Sequence, residues 1–114
     1  MYAVIFEVKP TEAGKADYLK FAANLRKFLE NRPGFISIER FQSLVEENKV
    51  LSLSFWEDEA SIEAWRNVAD HRAAQKRGKG ALFESYRIRV ARVVRDYTDS
   101  DRDNAPVDSN ASLL

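Results

Sequence analysis

The amino-acid sequence predicts a ferredoxin-like α+β fold, a βαββαβ chain with an antiparallel sheet, and three observations carry that expectation. Four stretches alternate apolar and polar residues as strands do. Two stretches between them repeat apolar residues every three or four positions as helices do, and turn residues stand at the joins. The 114 residues leave room for one core and not for two.

The first strand is Tyr2–Lys9, with Tyr2, Val4, Phe6 and Val8 on one face and Ala3 and Ile5 on the other. Pro10-Thr11-Glu12 marks a turn, and Thr11 can cap a helix that runs to about Asn31. In that helix Leu19, Ala22, Leu25 or Arg26, and Phe28-Leu29 recur at helical spacing. Arg32-Pro33-Gly34 ends it, because proline cannot continue a helix and glycine permits the sharp exit. Phe35–Gln42 and Lys49–Trp56 are the second and third strands, joined by the polar loop Ser43–Asn48. Their alternation sets Ile36 and Ile38, then Leu51, Leu53 and Phe55, toward the helices. Asp58 or Ser61 opens the second helix, whose pattern runs through Ile62, Trp65, Val68 and Ala69 and stops at Gly78 and Gly80. The last strand is predicted over 81–98, long against a usual length of about five or six residues. Residues 1–98 thus form the domain. Residues 99–114, rich in Asp, Ser and Asn, read as a disordered polar tail.

Helices on one side of such a sheet leave the other side open. Ala3, Ile5, Phe35, Phe41, Trp56 and Ala91 make that side too apolar for water, so a homodimer is expected, with a second copy as cover. Composition excludes several functions. Eighteen basic and eighteen acidic residues give no net field toward nucleic acid, and Arg87, Arg89, Arg92 and Arg95 spread over both faces of one strand. No apolar run approaches the roughly 20 residues that span a bilayer, and the first residues alternate like a strand instead of reading as a signal peptide. There is no cysteine, hence no thiolate metal site and no disulfide, and a cytoplasmic location is expected. With one histidine, no metal site is assigned.

Three stretches carry a family likeness: Phe55-Trp56-Glu57-Asp58-Glu59-Ala60, Ala64-Trp65-Arg66 through His71-Arg72-Ala73-Ala74-Gln75, and Phe83-Glu84-Ser85-Tyr86-Arg87-Ile88. Over residues 1–98 the chain resembles the antibiotic biosynthesis monooxygenase family of dimeric α+β barrels. That resemblance implies one of two chemistries. Haem-degrading members place an axial histidine about ten residues after the tryptophan that matches Trp65, where this chain has Gln75, so haem is disfavoured. Cofactor-independent members use a phenol or quinol whose anion reduces dioxygen. The protein then supplies a dry aromatic cavity, a base and a cation for the oxyanion.

The residues that fit that task are His71 as base, Arg72 as cation and Tyr86 as hydrogen-bond partner. Phe6, Phe55, Trp65, Val68 and Gln75 would line the substrate site. Each has a plainer reading. His71 can sit in solvent at a helix end, Trp65 can be a core anchor, and Arg72 can belong to the basic helix end with Lys76, Arg77 and Lys79. The expected protein is therefore a cofactor-free monooxygenase of a small aromatic substrate, with a non-catalytic dimeric binding module as the alternative.

Overall fold

A computed structural model of the chain describes residues 1–76 and 83–113, the side chains of 70–76 and 113 excepted. Strand β1 (Tyr2–Pro10) leads to helix α1 (Lys15–Leu29), strands β2 (Phe35–Gln42) and β3 (Val50–Trp56), helix α2 (Glu59–Lys76) and strand β4 (Phe83–Arg92); a short helix α3 (Val107–Leu113) follows. The four strands form one antiparallel sheet in the order β2-β3-β1-β4. This is the ferredoxin-like βαββαβ arrangement expected from the sequence. No described helix is long and apolar enough to cross a membrane.

Cross-strand register fixes which residues share a face. On the helix side, Tyr2, Val4, Phe6 and Val8 of β1 lie opposite Trp56, Ser54, Ser52 and Val50 of β3, and opposite Arg92, Val90, Ile88 and Tyr86 of β4. The sequence expectation for β3 was the reverse. Leu51, Leu53 and Phe55 stand on the open face, while Trp56 is 1% exposed in the core. Two buried serines explain the inversion. Ser52 and Ser54 occupy helix-side positions, and Ser54 Oγ accepts the Trp56 indole N–H at 2.9 Å, so a polar residue sits where alternation alone assigns an apolar one.

Two clusters make up the core beneath the helices. Val8, Tyr18, Ala22 and Val50 form one, with Phe6 and Phe83 packed on it; Leu29, Trp56 and Ile62 form the other, with Tyr2, Val4, Phe35, Ile38 and Trp65 around them. Helix α1 thus buries Tyr18, Phe21, Ala22 and Leu29; Ala22 and Leu29 of the stripe drawn from the sequence face the core, while Leu19 and Phe28 are exposed. Tyr18, Ala22 and Leu29 are themselves spaced four and seven apart, which is an equally regular helical stripe.

The helix starts follow local chemistry. Thr11 Oγ1 accepts the Gly14 N–H at 2.9 Å, holding the turn before α1, and Asp58 Oδ1 accepts the Ser61 N–H at 2.8 Å to cap α2. Hydrogen bonding with the Ser61 side chain, seconded by that backbone hydrogen bond, holds the Asp58 carboxyl below its usual range. Gly34 turns the chain from α1 into β2 with φ 80°, in the left-handed region. A β-carbon there would collide with the Ser61 side chain, so this turn and the start of α2 are pressed together.

Strand β4 ends at Arg92, short of the expected Thr98, although Val93 N–H still donates to Met1 O at 3.0 Å. The stop expected at Gly78 and Gly80 lies outside the described residues. Beyond β4 the chain forms an arm with hydrogen bonds of its own. Thr98 Oγ1 accepts the Asp101 N–H at 2.8 Å, and Arg102 donates to Asn110 Oδ1 and Ser109 Oγ, each at 3.0 Å. Asn and Ser side chains here satisfy an arginine locally, which is the physical reason a polar segment holds shape. The arm stands off the body: Val94 is 85% and Val107 84% exposed, and the molecule extends 55 Å along its longest axis.

Candidate active site

The helix side of β1 and β4 carries an aromatic and aliphatic floor that the helices leave partly uncovered. Phe6, Phe83 and Tyr86 meet edge to face, with ring centroids 5.8 to 6.1 Å apart, and Tyr18 joins through Phe83 at 5.4 Å. Along β4, Tyr86, Ile88 and Val90 are 62%, 53% and 47% exposed, directly beside Val8, Phe6 and Val4. Three successive helix-side residues of one strand therefore offer apolar surface that their own chain does not bury. Half-exposed apolar surface next to a packed core is where a small ligand finds both area and a formed wall.

Polar groups border this floor sparsely. The Tyr86 hydroxyl makes no hydrogen bond among the described residues, so it is available to an incoming oxygen. Tyr18 is buried, and that burial raises its phenol above the ordinary range, with the Arg40 guanidinium beside it pulling the other way. Arg40 also donates to the Ala22 carbonyl at 3.2 Å and so ties β2 to α1.

At the other end, Trp65 of α2 stacks on Trp56, with centroids 6.5 Å apart and planes inclined by 28°, and the Arg32 guanidinium lies 5.5 Å from the Trp65 ring centre. Trp65 is thereby built into the second core cluster and behaves as an anchor of the site's end wall. Arg32 has a buried Nε without a hydrogen-bond partner among the described residues. It comes from the α1–β2 turn, where Arg32 N–H donates to Leu29 O and Arg32 O accepts from Phe35 N–H.

The site residues expected from the sequence divide as follows. Phe6, Tyr86 and Trp65 lie on the helix side, and Val68 follows Trp65 on α2, half-buried. Phe55 does not join them. It pairs with Ala3 on the open face, because the β3 register places it one residue away from the helix-facing set. His71, Arg72 and Gln75 belong to the last turns of α2, and their side chains lie outside those described. The structure adds Tyr18, Phe83, Ile88, Val90 and Arg32 to the surroundings. Phasing α1 on Ala22 and Leu29 would have found Tyr18; Arg32 depends on turn geometry and left no sequence signal.

A depression, solvent-open and about 620 Å³ in volume, lies among Thr11, Glu12, Lys15, Glu47, Asn48 and Glu84. Its lining is hydrophilic and without aromatic residues. Among the described residues no group of three or more His, Cys, Asp or Glu side chains is placed to hold a metal ion.

Comparison with known proteins bears on the family and the fold. A family model described as antibiotic biosynthesis monooxygenase matches residues 1–77. The chain is 44% identical over 93 residues to jasmonate monooxygenase ABM of Pyricularia oryzae, covering 82% of this chain and 43% of that protein; it therefore spans less than half of that relative's length. It is 31% identical over 94 residues to YqjZ of Bacillus subtilis, covering 82% of this chain and 80% of that one. Among solved structures, SnoaB, a cofactor-independent oxygenase from Streptomyces nogalater, superposes with TM-score 0.68 at 13% identity, covering 83% of this chain and 94% of SnoaB. A variant of MhuD with two manganese protoporphyrin IX molecules per active site gives TM-score 0.66 at 20% identity, covering 86% of this chain and 99% of MhuD. At these identities the two structures speak for the fold.

Proposed function

The chain belongs to the antibiotic biosynthesis monooxygenase family, and on that premise we propose that it is a cofactor-independent monooxygenase that acts, as a homodimer, on a small phenol or quinol with dioxygen. The observation that carries this reading is the uncovered strip Tyr86–Ile88–Val90 beside Phe6, an apolar floor with a hydroxyl at its end that makes no hydrogen bond among the described residues.

In this reaction a phenol gives up its hydroxyl proton to a base and its anion transfers electrons to dioxygen. One oxygen atom bonds to a ring carbon, that carbon loses its hydrogen, and the second oxygen leaves as water. A phenol and dioxygen thus give a quinone and water without an external reductant. The protein's part is to favour the anion and keep bulk water out. In this reading His71 accepts the proton, Arg72 stands by the oxyanion, and the Tyr86 hydroxyl donates to the substrate oxygen. Phe6, Val68 and the Trp65 end wall hold the ring, and Gln75 contributes to substrate binding.

Haem fits the chain poorly. The position where the resemblance requires an axial histidine holds Gln75, and an amide is a weak iron ligand beside imidazole. A second substrate reading comes from the relative named for jasmonate, since a cyclic ketone with an apolar chain also suits an aliphatic and aromatic floor. The homodimer is supported by the open sheet face, where Ile5, Leu51, Leu53 and Phe55 are only half-buried in one copy. A cysteine-free chain accords with action in the cytoplasm.

The test is oxygen consumption and product analysis with a panel of hydroquinones, naphthols and jasmonate, with wild-type, Tyr86→Phe and His71→Ala proteins. Turnover of a phenol that falls about tenfold in Tyr86→Phe, the worth of one hydrogen bond to a charged oxygen, supports the reading. Turnover equal in all three proteins refutes it, and turnover of jasmonate alone, in the presence of an added two-electron reductant that the ketone needs to bring the second oxygen atom to water, selects the second substrate.

A further inference from the structure

The fold does not use every polar group on the helix side of the sheet. Ser52 and Ser54 of β3 both face the helices, 9% and 6% exposed. Ser54 holds the Trp56 indole, whereas the Ser52 hydroxyl makes no hydrogen bond among the described residues. Across the pairing of β2 with β3, the partner of Ser52 is Arg40. The Arg40 side chain meets α1, where it donates to the Ala22 carbonyl at 3.2 Å and lies beside the buried Tyr18 phenol. Its Nε is buried and has no hydrogen-bond partner among the described residues.

Arg40 lacks a counter-charge as well. Among the described residues no carboxylate pairs with it and no aromatic ring faces it. Arg32, the other arginine with a buried, unpartnered Nε, at least lies on the Trp65 ring. A guanidinium keeps its charge at any ordinary pH, and partial burial without an anion costs free energy that an incoming anion returns. The hydroxyls of Ser52 and Tyr18 can each turn a hydrogen toward the same acceptor. Three kinds of donor thus converge where the fold supplies no anion.

Cross-strand register joins this cluster to the apolar floor. Arg40, Ser52, Phe6 and Ile88 form one row across β2, β3, β1 and β4. The row runs from a half-exposed aliphatic side chain, past an aromatic ring, to a buried hydroxyl and a guanidinium. Ile88 and Ser52 are two strand spacings apart, about 10 Å, close to the length of a flat bicyclic ring bearing one carboxylate. Tyr86 is two residues from Ile88 on the same face of β4, so its hydroxyl borders the end of the row remote from Arg40.

On the reading of this floor as the substrate site, we propose that Arg40, with the hydroxyls of Ser52 and Tyr18, is its anion subsite, and that the substrate is an aromatic acid with its ring over Phe6 and Ile88, its carboxylate at Arg40 and its reacting hydroxyl beside Tyr86. A neutral phenol fills the same floor but leaves the guanidinium unmatched. The carboxylate therefore sets both specificity and orientation, since it brings one end of the ring, and not the other, to Tyr86.

Isothermal titration calorimetry of the full chain tests the subsite with three probes. They are a hydroxynaphthoic acid with its two groups at opposite ends of the ring system, the matching carboxamide, and the naphthol without the carboxylate. The acid is expected to bind at least about tenfold more tightly than either neutral probe, through charge-assisted hydrogen bonds. Arg40→Met should weaken the acid at least about tenfold and Ser52→Ala about threefold, with the naphthol held within about twofold in both. Arg40→Lys keeps the charge without the fork of donors and should fall between wild type and Arg40→Met. Equal affinity for acid and carboxamide in wild-type protein overturns the subsite alone and leaves the phenol reading standing. That comparison needs no variant, so it decides even where Arg40→Met loses the wild-type circular dichroism spectrum. A preference for the acid that survives undiminished in either folded variant also overturns the subsite. Failure of all three probes to bind overturns the floor as a substrate site, and the subsite with it.

Discussion

Replacing Gly34 by alanine tests the join between α1, β2 and α2 with a magnitude set by two separable terms. Gly34 has φ 80°, where an L-residue costs about 1–2 kcal/mol. Its new β-carbon would also overlap the Ser61 side chain, and overpacking of that kind costs about 1–3 kcal/mol. Gly34→Ala should therefore destabilise the protein by about 2–5 kcal/mol. Ser61→Gly removes the overlap and leaves the backbone term, so the same alanine in that background should cost only about 1–2 kcal/mol. Urea unfolding followed by tryptophan fluorescence, which reports Trp56 and Trp65, measures each member of the cycle by linear extrapolation. Equal losses in the two backgrounds, or a loss below about 0.5 kcal/mol in either, would refute the claim that this turn is pressed against α2. The result bears on function because the turn also places Arg32 over Trp65.

Further outcomes follow from burial and charge. Trp56→Ala should cost about 3–5 kcal/mol in the same urea assay, since Trp56 is fully buried between two helices and its indole N–H is satisfied by Ser54. Tyr18 keeps its phenol neutral in the fold, because burial raises its pKa above the unfolded value. Stability from it is complete below the ordinary phenol range and falls as pH rises through that range, so a spectrophotometric titration should show one of the four tyrosines ionising late, and Tyr18→Phe should remove that late step. Asp58 is shifted the other way by its hydrogen bonds with Ser61, so its stabilisation of the α2 start stands at neutral pH and is lost as pH falls through its lowered pKa. Thermal melts of Asp58→Ala and wild type should therefore differ at pH 7 and converge in strong acid.

How much of this was legible in the sequence depends on which force set each feature. Element order was legible, because β1 repeats Tyr2, Val4, Phe6 and Val8 at every second position and the turn at Arg32-Pro33-Gly34 has strong local chemistry. The facing of β3 was not. In Val50-Leu51-Ser52-Leu53-Ser54-Phe55-Trp56 the leucines look like core, yet the core took the serines, because Trp56 and Val50 fix the phase and the leucines belong to a face that a second copy would cover. Phe55 was lost from the candidate site for that reason alone. Tyr86 was read correctly onto the helix side by parity from the strand's own alternation. In the arm, composition counts Asn and Ser as solvent-seeking and carries no sign that Arg102 gathers Ser109 and Asn110 into a short-range network.

The alternation of β4 has a consequence for how the chain can change over generations. Tyr86, Ile88 and Val90 face the candidate site, while Arg87, Arg89 and Ala91 face the opposite way. Point substitutions at every second position can therefore retune one surface while leaving the other untouched. A single-residue insertion or deletion within Phe83–Arg92 would instead exchange the two sets downstream of it, turning arginines toward the floor and apolar residues toward the open face. In descendants of this chain, β4 should vary freely in letter at alternate positions and hardly at all in length.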